Sequence, residues 1–478
     1  MSMTKNSSEE KVVVIGGGMG GMASALQLRA QGHAVALVEK NEYVGGIAAS
    51  FEENGVRGFY PLAFGDYPSF ESLFEQHDKE VANYVDVIEV SDMCTRFIYD
   101  DKTSLDLGDL ESTLASLKER NPEHATQYQQ LYDYSKEPGG VAEIFADVVA
   151  EHIKDEALQM AINFKTSLLG ESPYSTSSLY LMILNIQETW GSFTAPGGMG
   201  GLVEALEKLM LDVGIVVIKG DAVTSLGCNE GKVKTAILQS GRKISCSHLV
   251  SNISPHMLHG RLLPDEYAAK SQEIMGDIKY SPSVFSYHFT TGKRYSNLPA
   301  MMVIFPQDLR KHFSQVYDEG VMPDELLLGV YRAGFYDPSM SPEDGDHFSV
   351  YLSVPNLKFD IPWEELSGQL VDDIRARLEE YLLPNLSENL LDGFYRTPLD
   401  MESKCSLPFG AGFGRQVTKL ELGKEFFSNE ETGLSNLHLV GHQTMPGPGL
   451  NAVLMSAQFA TAAIPAPVTA TANPEVRE

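Results

Sequence analysis

Cysteine is scarce in these 478 residues: Cys94, Cys228, Cys246 and Cys405 lie far apart and form no CxxC pair. That excludes a thiolate zinc site and a disulfide framework, and the four read as thiols of a reducing compartment. Positive charge is short too, with 36 Lys and Arg against 65 Asp and Glu, a formal net charge of −29. A nucleic-acid backbone is held by clustered Lys and Arg, so nucleic acid is not an expected partner. Docking on anionic lipid through a basic patch is disfavoured for the same reason. No apolar run reaches the roughly 18 residues of a membrane-spanning helix, so no transmembrane segment is expected, while peripheral membrane contact stays open. The first eleven residues are polar and the apolar run at 12–15 is far shorter than a signal-peptide core; a cytoplasmic location is the expectation. His256 and His259 could share one helix face, but no Cys or Asp nearby completes a metal site. No metal is expected.

What is present is ordinary globular material, 43% hydrophobic and 21% charged, in a chain long enough for two domains. The run at 12–15 (VVVI) reads as a buried strand, 23–30 (ASALQLRA) as a helix closed by Gly32, and 34–38 (AVALV) as a second strand, together a βαβ unit. A hairpin is expected over 97–107, turning at Asp100-Asp101-Lys102, and mostly helix over 110–186. After the glycine-rich break PGGMGG at 196–201 come a helix at 202–211 and strands at 215–218, 223–226, 232–238, 243–245 and 248–251. Residues 281–354 alternate strands with loops, 363–382 is helical, and 437–440 (LHLV) is a strand leading through a Gly/Pro loop to a helix at 452–463. From Pro465 the composition is that of a disordered end.

Gly16-x-Gly18-x-x-Gly21, with Gly20 inside it, follows the first strand and opens the helix. The first glycine permits the tight turn, the second lets backbone approach a pyrophosphate, and the third lets helix and strand pack closely. The helix N-terminus then offers free N–H groups and about half a positive charge. Glu39, at the end of the second strand, suits the ribose hydroxyls of a dinucleotide. This unit accepts either NAD or FAD. Two features favour FAD: the paired glycines Gly45 and Gly46, a second close-approach loop, and the C-terminal strand–glycine–helix element LHLVGHQTMPGPG at 437–449. PGGMGG lacks a clean preceding strand and is a poor second dinucleotide unit, so no NADPH domain is expected.

EK-x4-GG after GxGxxG, PGGMGGLVEAL in mid-chain and LVG-x-x-T-x-PGPG near the C-terminus resemble the phytoene desaturase family of flavoproteins, which includes carotenoid desaturases, carotenoid isomerases and retinol saturases and is related to the flavin amine oxidases. The resemblance runs from about Lys11 to Ile464. It implies an α/β fold in which a Rossmann-like FAD-binding domain, a GxGxxG βαβ unit with a central parallel sheet, is interleaved with a mixed α/β substrate domain. The boundaries are 1–90, 196–256 and 396–466 for the first, 91–195 and 257–395 for the second, and a disordered tail at 467–478. It places Lys40 and Ile47 beside the cofactor with Glu39, Gly45 and Gly46, Val223 near the adenine, and Gly441, Pro446, Gly447, Gly449 and Leu450 near the flavin.

Two departures stand out. The family carries Arg after the paired glycines, where it helps bind pyrophosphate; here stands Ile47, with Arg57 as a substitute charge or a surface residue. Residues 55–65 (GVRGFYPLAFG) lack the Phe-Asp-x-Gly pattern. His442, the titratable side chain in the flavin-facing loop, is the catalytic candidate for proton transfer, with hydrogen bonding inside the loop as its alternative role. Aromatic and Met-rich runs at 180–190 and 280–305 line an apolar pocket or belong to the core. The reading is hydride removal from a C–C or C–N bond of a hydrophobic polyene or secondary metabolite, with oxygen or a quinone as electron acceptor. Its rivals are a flavin-dependent isomerase or saturase, and a non-catalytic prenyl-binding escort protein of the same fold.

Overall fold

The computed structural model describes residues 11–59, 65–90, 94–138, 143–267, 278–416, 428 and 433–467, without the side chains of 186–188. The end assigned to disorder lies outside them from residue 468 onward, as do 60–64 of the 55–65 stretch.

Strands β1 (Lys11–Ile15) and β2 (Ala34–Val38) bury nearly every side chain, the pattern of parallel strands covered on both faces. β2 pairs with β1 on one side, with β9 (Val216–Ile218) beyond it; β13 (His248–Ser251) pairs on the other side, with β19 (Leu437–Leu439) beyond. The parallel order is therefore β19-β13-β1-β2-β9. The chain leaves β1 first in one direction and then in the other, so the order reverses between β1 and β13. In open α/β sheets the ligand crevice lies at that reversal, beyond the carboxyl ends of the strands. Ile15 is in register with both Val38 and Ser251, which puts residues 16, 39 and 252 at this one end.

One face of the sheet packs Val12, Val14, Leu37 and Val250 against helices α1 (Met19–Ala30), α2 (Tyr67–Glu75), α8 (Met199–Asp212) and α11 (Leu450–Ala462). The other face packs Val13, Ile15, Val38 and Leu249 on an antiparallel sheet of β10 (Val223–Asn229), β11 (Lys232–Leu238) and β12 (Lys243–Ser245). α1 and α11 run in contact, joined by a buried hydrogen bond from Thr461 Oγ1 to Gln27 Oε1 (3.0 Å). Small hairpin β3 (Phe51–Glu53) and β4 (Val56–Gly58) and the short pair β5 (Ile88–Glu89) and β8 (Phe193–Thr194) complete this part.

A second, seven-stranded sheet has the order β18-β14-β17-β16-β15-β6-β7. Its strands are β6 (Thr95–Ile98), β7 (Ser104–Leu107), β14 (Ser283–Thr291), β15 (Met301–Ile304), β16 (Leu328–Arg332), β17 (Asp346–Val354) and β18 (Leu390–Arg396). Period-2 alternation sends Phe285, Tyr287, Phe289, Phe348 and Val350 onto helix α9 (Trp363–Tyr381). Phe97, Val303 and Phe305 pack from the opposite face on α3 (Leu110–Arg120), α4 (Pro122–Lys136), α5 (Phe145–His152), α6 (Glu156–Phe164) and α7 (Ile183–Trp190). The helical stretch expected over 110–186 is thus five pieces, broken where Asp109, Asn121 and Asp155 cap new N-termini. β16 falls within the strand-and-loop stretch expected over 281–354, while β18 was not expected from the sequence. The aromatics of 280–305 are largely core, as one of the two readings held. His256 and His259 do not share a helix face: the turn widens at Leu258, and His256 packs its ring on Phe409 and Tyr280. No helix among the described residues is long and apolar enough to cross a membrane.

Candidate cofactor site

The turn after β1 is built for glycine. Gly16 has φ +91°, a left-handed conformation that side chains disfavour, and its N–H donates to the Val38 carbonyl (2.8 Å). At Gly21 an added Cβ would collide with the Gly16 carbonyl, so this position sets how closely α1 approaches β1. Gly20 performs the same service for α11, since its Cβ would stand 3.1 Å from Val453 Cγ1. Gly18 caps α1 without a side-chain hydrogen bond, and the first turn holds no acidic residue. The N–H groups and positive end of α1 are therefore left for an anion.

Glu39 is 6% exposed, and its two oxygens accept N–H groups from Gly17 (2.7 Å) and Asn41 (2.9 Å). It ties the glycine turn to the end of β2, and each oxygen keeps a lone pair for a hydroxyl donor. The paired glycines rest directly on this turn. Gly45 N–H donates to the Gly17 carbonyl (2.6 Å), and a Cβ on Gly46 would lie 3.3 Å from Gly18 Cα. Val223 opens β10 two residues after Asp221, whose N–H donates to the Glu39 carbonyl (3.2 Å). Ile47 follows in a short turn, partly buried.

The Lys40 side chain is held by a neighbouring element. Its Nζ donates to the Ser403 carbonyl (2.6 Å), and Asn41 Nδ2 reaches the Lys404 carbonyl (3.1 Å), so both side chains dock the last turn of α10 (Pro398–Cys405). Arg57 also lies away from the first turn: its Nη1 is 3.5 Å from Met340 Sδ and 3.6 Å from where a Cβ of Gly197 would stand. That places it at the PGGMGG turn, where Gly197 N–H donates to Asp337 Oδ2 (2.8 Å) and α8 begins. Val203 of α8 in turn covers Gly45, whose Cβ would meet its Cγ1 at 2.8 Å.

The C-terminal loop arrives from β19. Gly441, Gly447 and Gly449 all have positive φ (+122°, +127°, +104°), the Met445–Pro446 bond is cis, and α11 starts at Leu450 under a Gly449 cap. Its first turn is also free of acidic residues. A buried knot holds the loop, with Thr444 Oγ1 donating to the Gly441 carbonyl (2.8 Å) and lying 2.7 Å from Ser456 Oγ. His442 Nε2 is 3.3 Å from Gln443 Nε2, and enclosure by protein lowers its pKa to about 4. The ring is therefore neutral at pH 7, which weakens it as a general acid or base and suits a hydrogen-bonding role.

One residue of the site escaped sequence reasoning. Asn252, immediately after β13, projects between the two glycine elements: its Nδ2 would be 2.6 Å from a Cβ on Gly18, and its Oδ1 2.7 Å and 2.9 Å from those on Gly20 and Gly441. The signal available was position alone, the first residue past the fourth parallel strand.

Residues 14–76 match the NAD(P)-binding Rossmann-like domain. The chain is 28% identical over 484 residues to the lycopene-forming phytoene desaturase of Pantoea ananas, spanning 93% of this chain and 97% of that one. It is 25% identical over 491 residues to the 4,4'-diapolycopene oxygenase of a Methylomonas species, spanning 95% and 98%. Among solved structures, an oxidoreductase from Methanosarcina mazei has a TM-score of 0.66 at 18% identity, covering 94% of this chain and 99% of that one. Putrescine oxidase bound to putrescine has a TM-score of 0.62 at 14% identity, covering 95% and 98%. The likenesses to solved structures establish the fold, and the two sequence relatives, a phytoene desaturase and a diapolycopene oxygenase, are matched over nearly their whole length.

Proposed function

We propose that the chain is an FAD-dependent desaturase that oxidises a C–C or C–N bond of a hydrophobic polyene or polyene-like secondary metabolite. The observation that carries this reading is the convergence, at the point where the parallel strand order reverses, of glycines from residues 16–21, 45–46 and 441. An added Cβ would collide with a neighbour at Gly17, Gly18, Gly20, Gly21, Gly45 and Gly441 and would be tight at Gly16 and Gly46, so backbone packs here as closely as in the glycine turn of a dinucleotide site. Two helix N-termini without acidic caps, those of α1 and α11, face the same end of the sheet.

In this reading Glu39 accepts from the ribose, Val223 lies at the adenine, and Gly16, Gly18, Gly20 and Gly21 with Gly45 and Gly46 hold the pyrophosphate against α1. Gly441, Pro446, Gly447, Gly449 and Leu450 hold the flavin end, with Ile47 packing beside the paired glycines and Lys40 acting one step removed through α10. When bound, FAD supplies the two-electron acceptor and so the redox chemistry. The protein's part is to orient an apolar substrate, exclude water and keep His442 as a neutral hydrogen-bonding group. Residues 1–90, 196–256 and 396–466 make the cofactor domain, and 91–195 with 257–395 the substrate domain. Oxygen or a quinone takes the electrons onward.

The test is anaerobic addition of a phytoene-type polyene to the purified flavoprotein. Bleaching of the flavin band with formation of a longer conjugated chromophore is expected. A flavin that stays oxidised while the polyene isomerises would overturn the desaturase assignment.

A further inference from the structure

We propose that the Asn252 side-chain amide is a ligand of the cofactor's pyrophosphate, a neutral donor that closes the phosphate cradle from the side opposite the paired glycines. The inference rests on the FAD reading above and goes beyond it by assigning a residue that no motif contains.

Its place is the first argument. Ser251 ends β13 in register with Ile15 of β1 and Leu439 of β19, so Asn252 is the first residue past the carboxyl edge at the strand-order reversal. Its backbone is pinned there, with the N–H donating to the Ile15 carbonyl (2.8 Å). The side chain is thereby committed to the space between the first glycine turn and the C-terminal loop.

The second argument is fit. The amide lies against the Cα faces of Gly18, Gly20 and Gly441 at the distances given above. Its Nδ2 is turned towards Gly18, the glycine at which backbone approaches phosphate, while Oδ1 sits between Gly20 and Gly441. The amide is what excludes a side chain at the three glycines, since a Cβ on Gly18, Gly20 or Gly441 would meet it at 2.6, 2.7 or 2.9 Å.

The third argument is satisfaction. The partly buried amide makes no hydrogen bond to a described residue and keeps contact with solvent, so its N–H groups can donate to a ligand without breaking an internal bond. A phosphate oxygen is the acceptor its N–H groups lack. The usual cations do not compete for that role, because Lys40 is bound to Ser403 and Arg57 lies at the PGGMGG turn.

Two variants test this by titrating flavin-stripped protein with FAD, with far-UV circular dichroism and thermal melting of each apoprotein as controls. Asn252→Ala removes the donor and should weaken binding about tenfold, the worth of one hydrogen bond to a charged acceptor. Asn252→Asp keeps the shape but sets a carboxylate beside phosphate; it should weaken binding about a hundredfold at pH 8 and recover as pH falls towards 5 and the acid protonates. A purely structural role would show no such recovery. Wild-type affinity in a folded Asn252→Asp variant overturns the proposal while leaving the FAD reading intact. A wild type that binds no FAD overturns the FAD reading and this assignment with it. Should Asn252→Asp not fold, Asn252→Ala at wild-type affinity overturns the proposal alone.

Discussion

Glu39 Oε2 accepts the Gly17 N–H at 2.7 Å across 22 residues of sequence, so the residue that reads as a ribose ligand is also the clamp on the glycine turn. Its other oxygen takes the Asn41 N–H at 2.9 Å. The consequence is a coupling of fold stability to cofactor affinity through one carboxylate.

Replacing Glu39 by Gln turns one acceptor into an NH2 group that faces an N–H donor. Stability should fall by about 1–3 kcal/mol, read as a lower melting temperature of the apoprotein, and FAD affinity should fall in the same variant. If melting is unchanged while affinity drops, the clamp is unimportant and Glu39 acts on ligand alone.

Acid should destabilise the chain through histidines. Burial lowers the pKa of His312, His347, His438 and His442 to about 4 each, with His248 adding to the effect at His438 and the Arg57 charge at His347. Unfolding returns each to about 6.5, so between pH 6.5 and 4 the unfolded state binds more protons and stability falls as pH falls. Each group contributes up to about 1.4 kcal/mol per pH unit within that window. His438, stacked on His248 with ring centroids 5.7 Å apart, is the cleanest probe. His438→Asn should flatten the pH dependence of melting below pH 6.5, and an unchanged slope would contradict the assignment.

The second sheet holds a buried ion pair. Arg332 Nε meets Asp346 Oδ1 at 2.8 Å with the two side chains 10% and 2% exposed, and Asp346 Oδ2 accepts the Tyr295 N–H (2.6 Å). Asp346→Leu strands the guanidinium and should cost about 3–5 kcal/mol in chemical denaturation, with FAD affinity kept in the folded fraction. A loss below about 1 kcal/mol would mean the pair behaves like an exposed one.

These results show which information is local. The turn at residues 16–21 was legible because its glycine spacing is dictated by chain geometry within one βαβ unit, and Gly45 and Gly46 because they follow it closely. The partner of the Lys40 side chain was not legible, because its neighbours in sequence border the site while Ser403 lies 363 residues away. β18 escaped notice because Gly393 interrupts it and its Leu391 and Tyr395 point outward, spoiling the alternation. Asn252 has no local signature at all. Its meaning comes from the strand order, which only long-range pairing creates.

The most direct test of the account is the absorption spectrum of the purified chain together with the identity of the cofactor released on denaturation. The account predicts a yellow protein that releases FAD, and a colourless Gly18→Val variant, because a branched side chain there would collide with Asn252 and fill the cradle. A colourless wild type that cannot be reconstituted with FAD would contradict it.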